Sequence, residues 1–205
     1  MILCKLIDLI HRTLILTKIT KFRDRHLLTF LSLRNNFPPD YMHVLCLGVC
    51  KRLLNTYFTT SFGRFLCFLP SSAKSWLEER VNVHKGALTS EFQRKIRSFS
   101  QLQYFKATEF RSIMLYTGPY LFKNILSNDY YDHFLLLHLY IFVSNNHQNL
   151  LPQAKACVDK FLYKLPFLFD ESACTYNCHI FSHLAEFVER NGNVCLLYTS
   201  PSPRD

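Results

Sequence analysis

The feature that most constrains the fold is a run of apolar side chains at helical spacing directly after two prolines, in FPPDYMHVLCLGVCKRLLN at residues 37–55. Pro38 and Pro39 end whatever structure precedes them. The spacing that follows, i, i+3, i+4, i+7, is typical of a helix that buries one face. The apolar positions are Met42, Leu45, Cys46, Val49, Leu53, Leu54 and Tyr57. This stretch predicts a core-facing helix that begins near Asp40.

Helical spacing recurs along most of the remaining chain, separated by residues that begin or end helices. A short helix from Ser72 precedes a basic, irregular connection at 82–105 that contains one short helix, and KATEFRSIMLYTG at 106–118 predicts a further helix. Two long apolar helices and a last helix near 175–190 follow. The helix at 106–118 is predicted to end at Gly118-Pro119, and the last helix at Asn191-Gly192. Of the two long helices between them, the first is predicted to start at Ser127 or Asn128 and the second at Pro152. The predicted fold is mainly α, with at most one or two N-terminal strands.

The chain is basic, with 24 Lys and Arg against 15 Asp and Glu and a formal charge of +9. This balance suits a polyanionic partner only modestly, because no run of five basic residues occurs. Aromatic residues make up 15% of the chain, but they fall at helical core spacing. They lack the alternation with Lys and Arg that is typical of platforms for single strands.

The chain has eight cysteines and no CxxC pair. Because it is long and apolar enough to need no disulfides, a reduced intracellular protein is favoured over a disulfide scaffold. Charged residues interrupt the apolar N-terminal run at 1–20, so neither a signal peptide nor a transmembrane span is predicted there. The later apolar run FLLLHLYIFV at 134–143 is about half the length of a span. No membrane partner is expected.

The last residues, CLLYTSPSPRD at 195–205, differ in character from the rest. They back-translate without mismatch into an adapter used in sequencing libraries, which indicates an artefactual tail. The predicted organisation is therefore an unplaced segment at 1–35, a partial domain at 36–194 and the tail at 195–205.

Asp40 and His43 form the first candidate pair, Asp-x-x-His. An Asp directly after Pro-Pro is a good helix N-cap, because its carboxylate accepts backbone N–H groups of the first turn. The same spacing also suits a metal-binding or catalytic pair. The pattern by itself favours the cap.

His179 and His183 form the second candidate pair, since two imidazoles at i and i+4 lie on one helical face and can hold one metal ion. With Cys174 and Cys178 nearby, the four residues could build a zinc site, although adjacent Cys178 and His179 point in different directions on a helix. The alternative is a partly buried histidine pair, which the pattern by itself favours. The zincin motif HExxH is absent because position 180 is Ile. The sequence also contains no Ser/His/Asp elbow, P-loop or GxGxxG.

Four blocks taken together resemble one family. They are FPPDYMHVLCLGVCKRLL (37–54), YFKATEFRSIMLYTGPYLFKNIL (104–126), YYDHFLLLHLYI (130–141) and YNCHIFSHLAEFVERNG (176–192). In order and spacing they are similar to the transposase-domain proteins of the CACTA/Mirage/Chapaev group of cut-and-paste DNA transposases and their domesticated descendants. The combinations of KATEFR with LYTGP, and of D-x-M-H with LGV-x-K-R-L-L, carry this resemblance.

The resemblance implies a ribonuclease-H-like core in which three acidic residues hold two divalent ions, Mg²⁺ or Mn²⁺, with a helical insertion before the last acid. Asp40 matches the second acidic ligand and His43 belongs to the accompanying Met-His. His179 and His183 match an H-x3-H element near the end of the insertion. The implied partner is DNA at transposon ends, the implied location is the nucleus, and oligomerisation is left open.

The sequence also departs from the family. The family's first acidic ligand should lie upstream, but the residues around Asp8 and Asp24 do not match its motif. The last ligand, a glutamate, is expected after His183, where this chain already runs into the tail. Glu109 and Arg111 of KATEFR belong to the resemblance without an implied catalytic role. This polypeptide alone is therefore expected to be an inactive fragment. The alternatives are a domesticated non-enzymatic DNA- or protein-binding module, and a structural zinc-binding helical domain.

Overall fold

The computed structural model describes residues 39–58, 68–87 and 95–192, and within those ranges the chain is helical and contains no strand. The prediction of a mainly α fold is confirmed there. The predicted N-terminal strands, the segment at 1–35 and the tail at 195–205 fall on residues outside the described ones. The chain divides into two compact units, Met1–Asp40 and Tyr41–Asp205. All helices described below belong to the second unit.

The α-helices of the described ranges are α1 (Lys51–Phe58), α2 (Ser71–Ala87), α3 (Ala107–Ser112), α4 (Gly118–Phe122), α5 (Asn128–Asn146), α6 (Leu151–Phe169) and α7 (Tyr176–Asn191). A first π-helix, Met42–Cys50, runs directly into α1, and a second, Ile113–Thr117, joins α3 to α4. Short 3₁₀ helices occupy Phe99–Tyr104, Gln148–Leu150 and Glu171–Ala173. None of these helices combines the length and apolar character needed to cross a bilayer.

Three predicted helix boundaries are confirmed. Pro152 lies in the first turn of α6, where a missing N–H removes no helical hydrogen bond. Ser127 occupies the N-cap position of α5, although its side chain makes no capping hydrogen bond. Gly192 follows the last residue of α7 with φ of 83°, a left-handed conformation that glycine adopts without steric cost.

The prediction that Gly118-Pro119 stops a helix is wrong. Gly118 has helical dihedral angles, φ −56° and ψ −46°. Pro119 lies in the first turn of α4, where a proline is tolerated. The chain therefore stays helical through both residues, from α3 through the second π-helix into α4.

The helix predicted at Ser72 is longer than expected, because α2 continues to Ala87. Leu77 and Val81, four residues apart, are both buried and extend one apolar face along the helix. The irregular connection predicted at 82–105 is therefore wrong for its first residues.

The two longest helices, α5 and α6, form an antiparallel hairpin. The start of α5 lies beside the end of α6, where the Tyr130 hydroxyl donates to the Leu168 carbonyl oxygen at 3.3 Å. The His133 ring of α5 stacks on Phe161 of α6 with centroids 4.1 Å apart. Further along α5, Tyr140 meets Phe181 of α7 edge-on at 4.9 Å. This last contact joins the hairpin to α7.

Arg80 of α2 holds the carboxyl end of α4. One guanidinium nitrogen donates to the carbonyl oxygens of Tyr120, Leu121 and Lys123 at 3.1, 3.0 and 2.6 Å. The last carbonyl groups of a helix have no partner within it and carry partial negative charge. A cation from a neighbouring helix therefore both satisfies these groups and ties α2 to α4.

Replacing Arg80 with Met is expected to lower the free energy of unfolding by about 1 kcal/mol, because charge-assisted bonds to three helix-end carbonyls are lost while the aliphatic stem is kept. Urea unfolding of Arg80→Met measures this change. Lys85→Met is the matched control, since it removes the same charge from the same helix. Equal losses in the two variants would contradict the assigned role.

Candidate functional site

Asp40, which matches a catalytic ligand in the family resemblance, is half-buried and directly precedes the helical run. His43 is exposed in the first turn of the first π-helix. Asp40 belongs to a different compact unit from His179 and His183. Its two predicted roles, helix cap and divalent-metal ligand, stay predictions.

His179 and His183 lie together on α7, as their spacing predicts. Their ring centroids are 5.0 Å apart and the rings are nearly perpendicular. Both side chains are half-buried, and Nδ1 of His183 lies 3.9 Å from Oε2 of Glu186. Lys155 of α6 reaches the other oxygen of Glu186 at 3.3 Å. The pair offers two imidazoles on one partly accessible face.

Cys174 and Cys178, the other proposed zinc ligands, are placed less favourably. Cys178 is buried, and its thiol donates to the Ala173 carbonyl oxygen at 3.5 Å. Zinc sites use four ligands in tetrahedral arrangement, and the described residues contain no group of three or more His, Cys, Asp or Glu side chains that could hold a metal ion. The four-residue zinc site stays a prediction, with the histidine pair as its best-placed part.

Glu109 of KATEFR anchors the segment before α3, a role that sequence reasoning missed. Its side chain is 1% exposed and pairs with Arg97 through bonds of 2.9 and 2.7 Å. The carboxylate also accepts the Lys106 N–H at 2.8 Å, and Arg97 donates to the Tyr104 carbonyl oxygen. Burial alone would raise the pKa of Glu109, but the bonds from Arg97 and Lys106 outweigh it and hold this pKa below its ordinary value.

These contacts occupy both oxygens of Glu109, which suits a structural anchor and leaves little capacity for a metal ion. The sequence did contain one signal. Lys106 and Glu109 have the spacing at which a glutamate in the first turn bonds back to the N-cap N–H.

Replacing Glu109 with Gln is expected to lower the free energy of unfolding by about 1.5 kcal/mol at neutral pH, because charge-assisted hydrogen bonds become neutral ones. The folded-state pKa of Glu109 lies below its ordinary value of 4.5. The contribution is therefore complete above pH 4.5 and is lost as the pH falls through the folded-state pKa. Urea unfolding as a function of pH tests this. Glu79→Gln, at an exposed position of α2, should leave the free energy of unfolding nearly unchanged. A loss similar to that of Glu109→Gln would refute the anchoring role of Glu109.

Two histidines of α5 bond to backbone carbonyl oxygens of neighbouring helices. His133 is fully buried and its Nε2 bonds to the Phe161 carbonyl oxygen at 3.0 Å. Its Nδ1 has no hydrogen-bond partner among the described residues. Burial lowers the pKa of His133 to about 4, so the ring is neutral near pH 7. Nδ1 of His138 bonds to the Met114 carbonyl oxygen of the second π-helix at 2.6 Å.

A small cavity and a larger groove are lined by described residues of the second unit, and neither is lined by His43, His179 or His183. The smaller, about 20 Å³, is apolar and lies between α1 and α6. The larger is a groove of about 490 Å³ whose floor includes the stacked rings of Phe58 and Phe99, 4.9 Å apart. Its lining residues are Asn55, Phe58, Lys74, Ser75, Glu78, Phe99, Ser100, Leu102 and Gln103.

Comparison with known proteins returned no match: no family model, no curated protein and no solved structure corresponds to this chain.

Proposed function

We propose that this chain is part of a transposon-derived DNA transposase of the CACTA/Mirage/Chapaev group, comprising the second acidic residue and the helical insertion. The four ordered sequence blocks carry this proposal. The intact parent would act in the nucleus on DNA at transposon ends.

Packing of the helices supports grouping the blocks. The first π-helix, which carries LGV, packs against α1, against α3 of the KATEFR block and against α7 of the H-x3-H block. Gly48 of LGV lies so close to α7 that a Cβ atom there would come within 2.6 Å of the Asn177 amide nitrogen and 2.8 Å of the His43 carbonyl oxygen. Three blocks far apart in sequence thus meet in one core.

In the intact parent, Asp40 would hold Mg²⁺ or Mn²⁺ together with two further acids. Two such ions activate the attacking oxygen and stabilise the leaving oxygen of an in-line phosphodiester displacement. One carboxylate cannot hold both ions, so the 205-residue chain should not cleave DNA. His43 and the His179–His183 pair accompany the motif without an assigned step.

Sequencing the genomic locus through both ends of the reading frame tests the proposal. We expect an acidic residue on a predicted strand upstream, a glutamate downstream of His183, and inverted repeats flanking the gene. An intact reading frame that lacks even one of these two acidic residues would reject the proposal of a catalytic parent.

A nicking assay on supercoiled plasmid with Mg²⁺ or Mn²⁺ tests the fragment itself. We expect no cleavage by the purified chain, and none by Asp40→Asn. Cleavage that Asp40→Asn abolishes would show that the chain holds a complete site.

A domesticated, non-enzymatic binding module is the second candidate. The formal charge of +9 favours it, since a basic surface attracts nucleic acid without any catalytic residue. The locus sequence separates the two candidates: an uninterrupted frame that lacks the acids and the flanking repeats favours the binding module.

A further inference from the structure

The two most exposed large apolar side chains of the described ranges are neighbours on α6. Tyr163 is 71% exposed and Phe167 is 69% exposed. They are four residues apart on one helical face, with ring centroids 5.4 Å apart and ring planes inclined by 50°. Clustered exposed aromatic rings mark a binding surface more often than scattered ones do.

The packing of α6 does not depend on these rings. Phe161, Leu165 and Phe169 are buried on its other side, and the two phenylalanines contact rings of neighbouring helices. Phe161, for example, stacks on His133 and meets Phe181 edge-on at 5.9 Å. Tyr163 and Phe167 are therefore free of a core role.

A lysine stands three residues before each exposed ring, in KFLYKLPF at 160–167. Residues three apart on an α-helix are neighbours, so Lys160 lies beside Tyr163 and Lys164 beside Phe167. Lys160 is exposed and Lys164 is half-buried. The exposed Asp159 falls on the other side of Tyr163 from Lys160, because successive residues are about 100° apart around a helix. One flank of the ring pair is thus positively charged.

We propose that this face of α6 binds single-stranded nucleic acid, with bases stacking on Tyr163 and Phe167 and phosphates contacting Lys160 and Lys164. Exposed aromatic rings beside basic side chains are the usual components of such sites. In a duplex the base faces are covered by their neighbours and cannot reach the rings. A protein partner is less well matched, since it would cover the two lysines together with the rings, and lysine is depleted in protein–protein interfaces relative to the rest of the surface. The proposal does not depend on the metal-ligand role of Asp40.

Fluorescence anisotropy with the full chain tests the proposal. The probes are a labelled oligothymidylate of about 20 nucleotides and a labelled duplex of the same length, both at low salt. We expect the single strand to bind more tightly than the duplex. Removing both rings in Tyr163→Ser/Phe167→Ser should weaken binding to the single strand by roughly tenfold or more.

Matched variants separate stacking from a general surface effect. Tyr104→Ser removes an aromatic ring of similar exposure, 63%, on another element and should leave affinity unchanged. Tyr163→Phe/Phe167→Tyr keeps both rings and should retain binding. Lys160→Gln should reduce the slope of log affinity against log salt by about 0.7, the value for one phosphate contact on a single strand.

Several results would overturn the proposal. They are no binding of the oligonucleotide by the wild-type chain, an equal loss in Tyr104→Ser, and unchanged affinity in the double serine variant. Sedimentation that shows a dimer lost only in the double serine variant, with oligonucleotide affinity unchanged, would assign the face to self-association instead.

Ultraviolet crosslinking of the wild-type chain to the single strand provides a readout without substitutions. A crosslink outside the peptide that contains Tyr163 and Phe167 would also reject the proposed binding site. None of these results bears on the locus sequence that tests the transposase proposal.

Discussion

Acidification from above pH 6.5 to about pH 4 is expected to lower the free energy of unfolding by about 3 kcal/mol through His133 alone. Burial disfavours the charged imidazolium, and nearby Lys164 adds to this, while the bond to the Phe161 carbonyl opposes it only in part. The folded state therefore binds its proton with a pKa of about 4 instead of 6.5. The contribution is complete above pH 6.5 and is lost as the pH falls towards 4.

Urea unfolding across this pH range measures the effect, and His133→Gln is the informative variant because its amide can still donate to Phe161 without titrating. We expect the pH dependence of this variant to be shallower by about one proton. The control is His147→Gln, at an exposed position after α5, which should keep the wild-type slope. A wild-type slope in His133→Gln would contradict the assignment, as would an imidazole of His133 that titrates near its ordinary pKa by NMR.

Replacing Gly118 with Ala is expected to lower the free energy of unfolding by about 3 kcal/mol, the upper end of the usual cost of overpacking. The backbone at Gly118 is helical, so alanine is conformationally acceptable there. The obstacle is space: a Cβ atom would collide with the ring of Phe134 and lie 2.6 Å from the Ile113 carbonyl oxygen. Phe134 is fully buried and packs edge-on against Phe122 at 5.0 Å, so its ring cannot swing away.

Thermal or urea unfolding of Gly118→Ala gives the change, and Gly118→Ala/Phe134→Leu should recover part of the loss because leucine is shorter than the ring. Gly48→Ala provides a comparison at a second tightly packed glycine. A backbone carbonyl oxygen lies close to the added Cβ at both sites, that of His43 at 2.8 Å from Gly48 and that of Ile113 at 2.6 Å from Gly118. The other neighbour of Gly48 is the end of the Asn177 side chain, which can rotate where the Phe134 ring cannot, so the cost there should be smaller. A larger loss at Gly48 than at Gly118 would refute this account.

Local signals predicted the long helices well, and the π-helices explain the main discrepancy. The bounds of α5, α6 and α7 follow from Pro152, Gly192 and an unbroken apolar spacing. A spacing of 3.6 residues per turn does not anticipate a π-helix, whose bonds span one more residue. In the first π-helix, Val44 and Cys50 are therefore buried in addition to the predicted positions, while Met42 is only half-buried.

Side-chain contacts between segments far apart in the chain could not be predicted from the sequence. The spacing of His179 and His183 sufficed to place them on one face because both lie on one helix. Arg97 and Glu109 could not be paired in the same way, since Arg97 precedes a 3₁₀ helix and its direction depends on how that segment folds back on α3. The interpretation that aromatic residues fall at core spacing is wrong for Tyr163 and Phe167, because neighbouring Phe161 and Leu165 already occupy the buried side of α6. The interpretation that aromatic residues do not alternate with basic ones is wrong there too, since Lys160 precedes the first of these rings and Lys164 stands between the two along the chain.

The free cysteines of the described residues differ in burial, so their rates of alkylation can report local unfolding of the core. Cys46 and Cys50 are buried on the first π-helix, whereas Cys157 and Cys174 are half-buried. Burial, together with nearby Cys46, raises the pKa of Cys50 well above its ordinary value, so its thiol is both shielded and protonated. Alkylation at Cys50 therefore requires the core around α1, α3 and α7 to separate, and its rate would report that separation at this position.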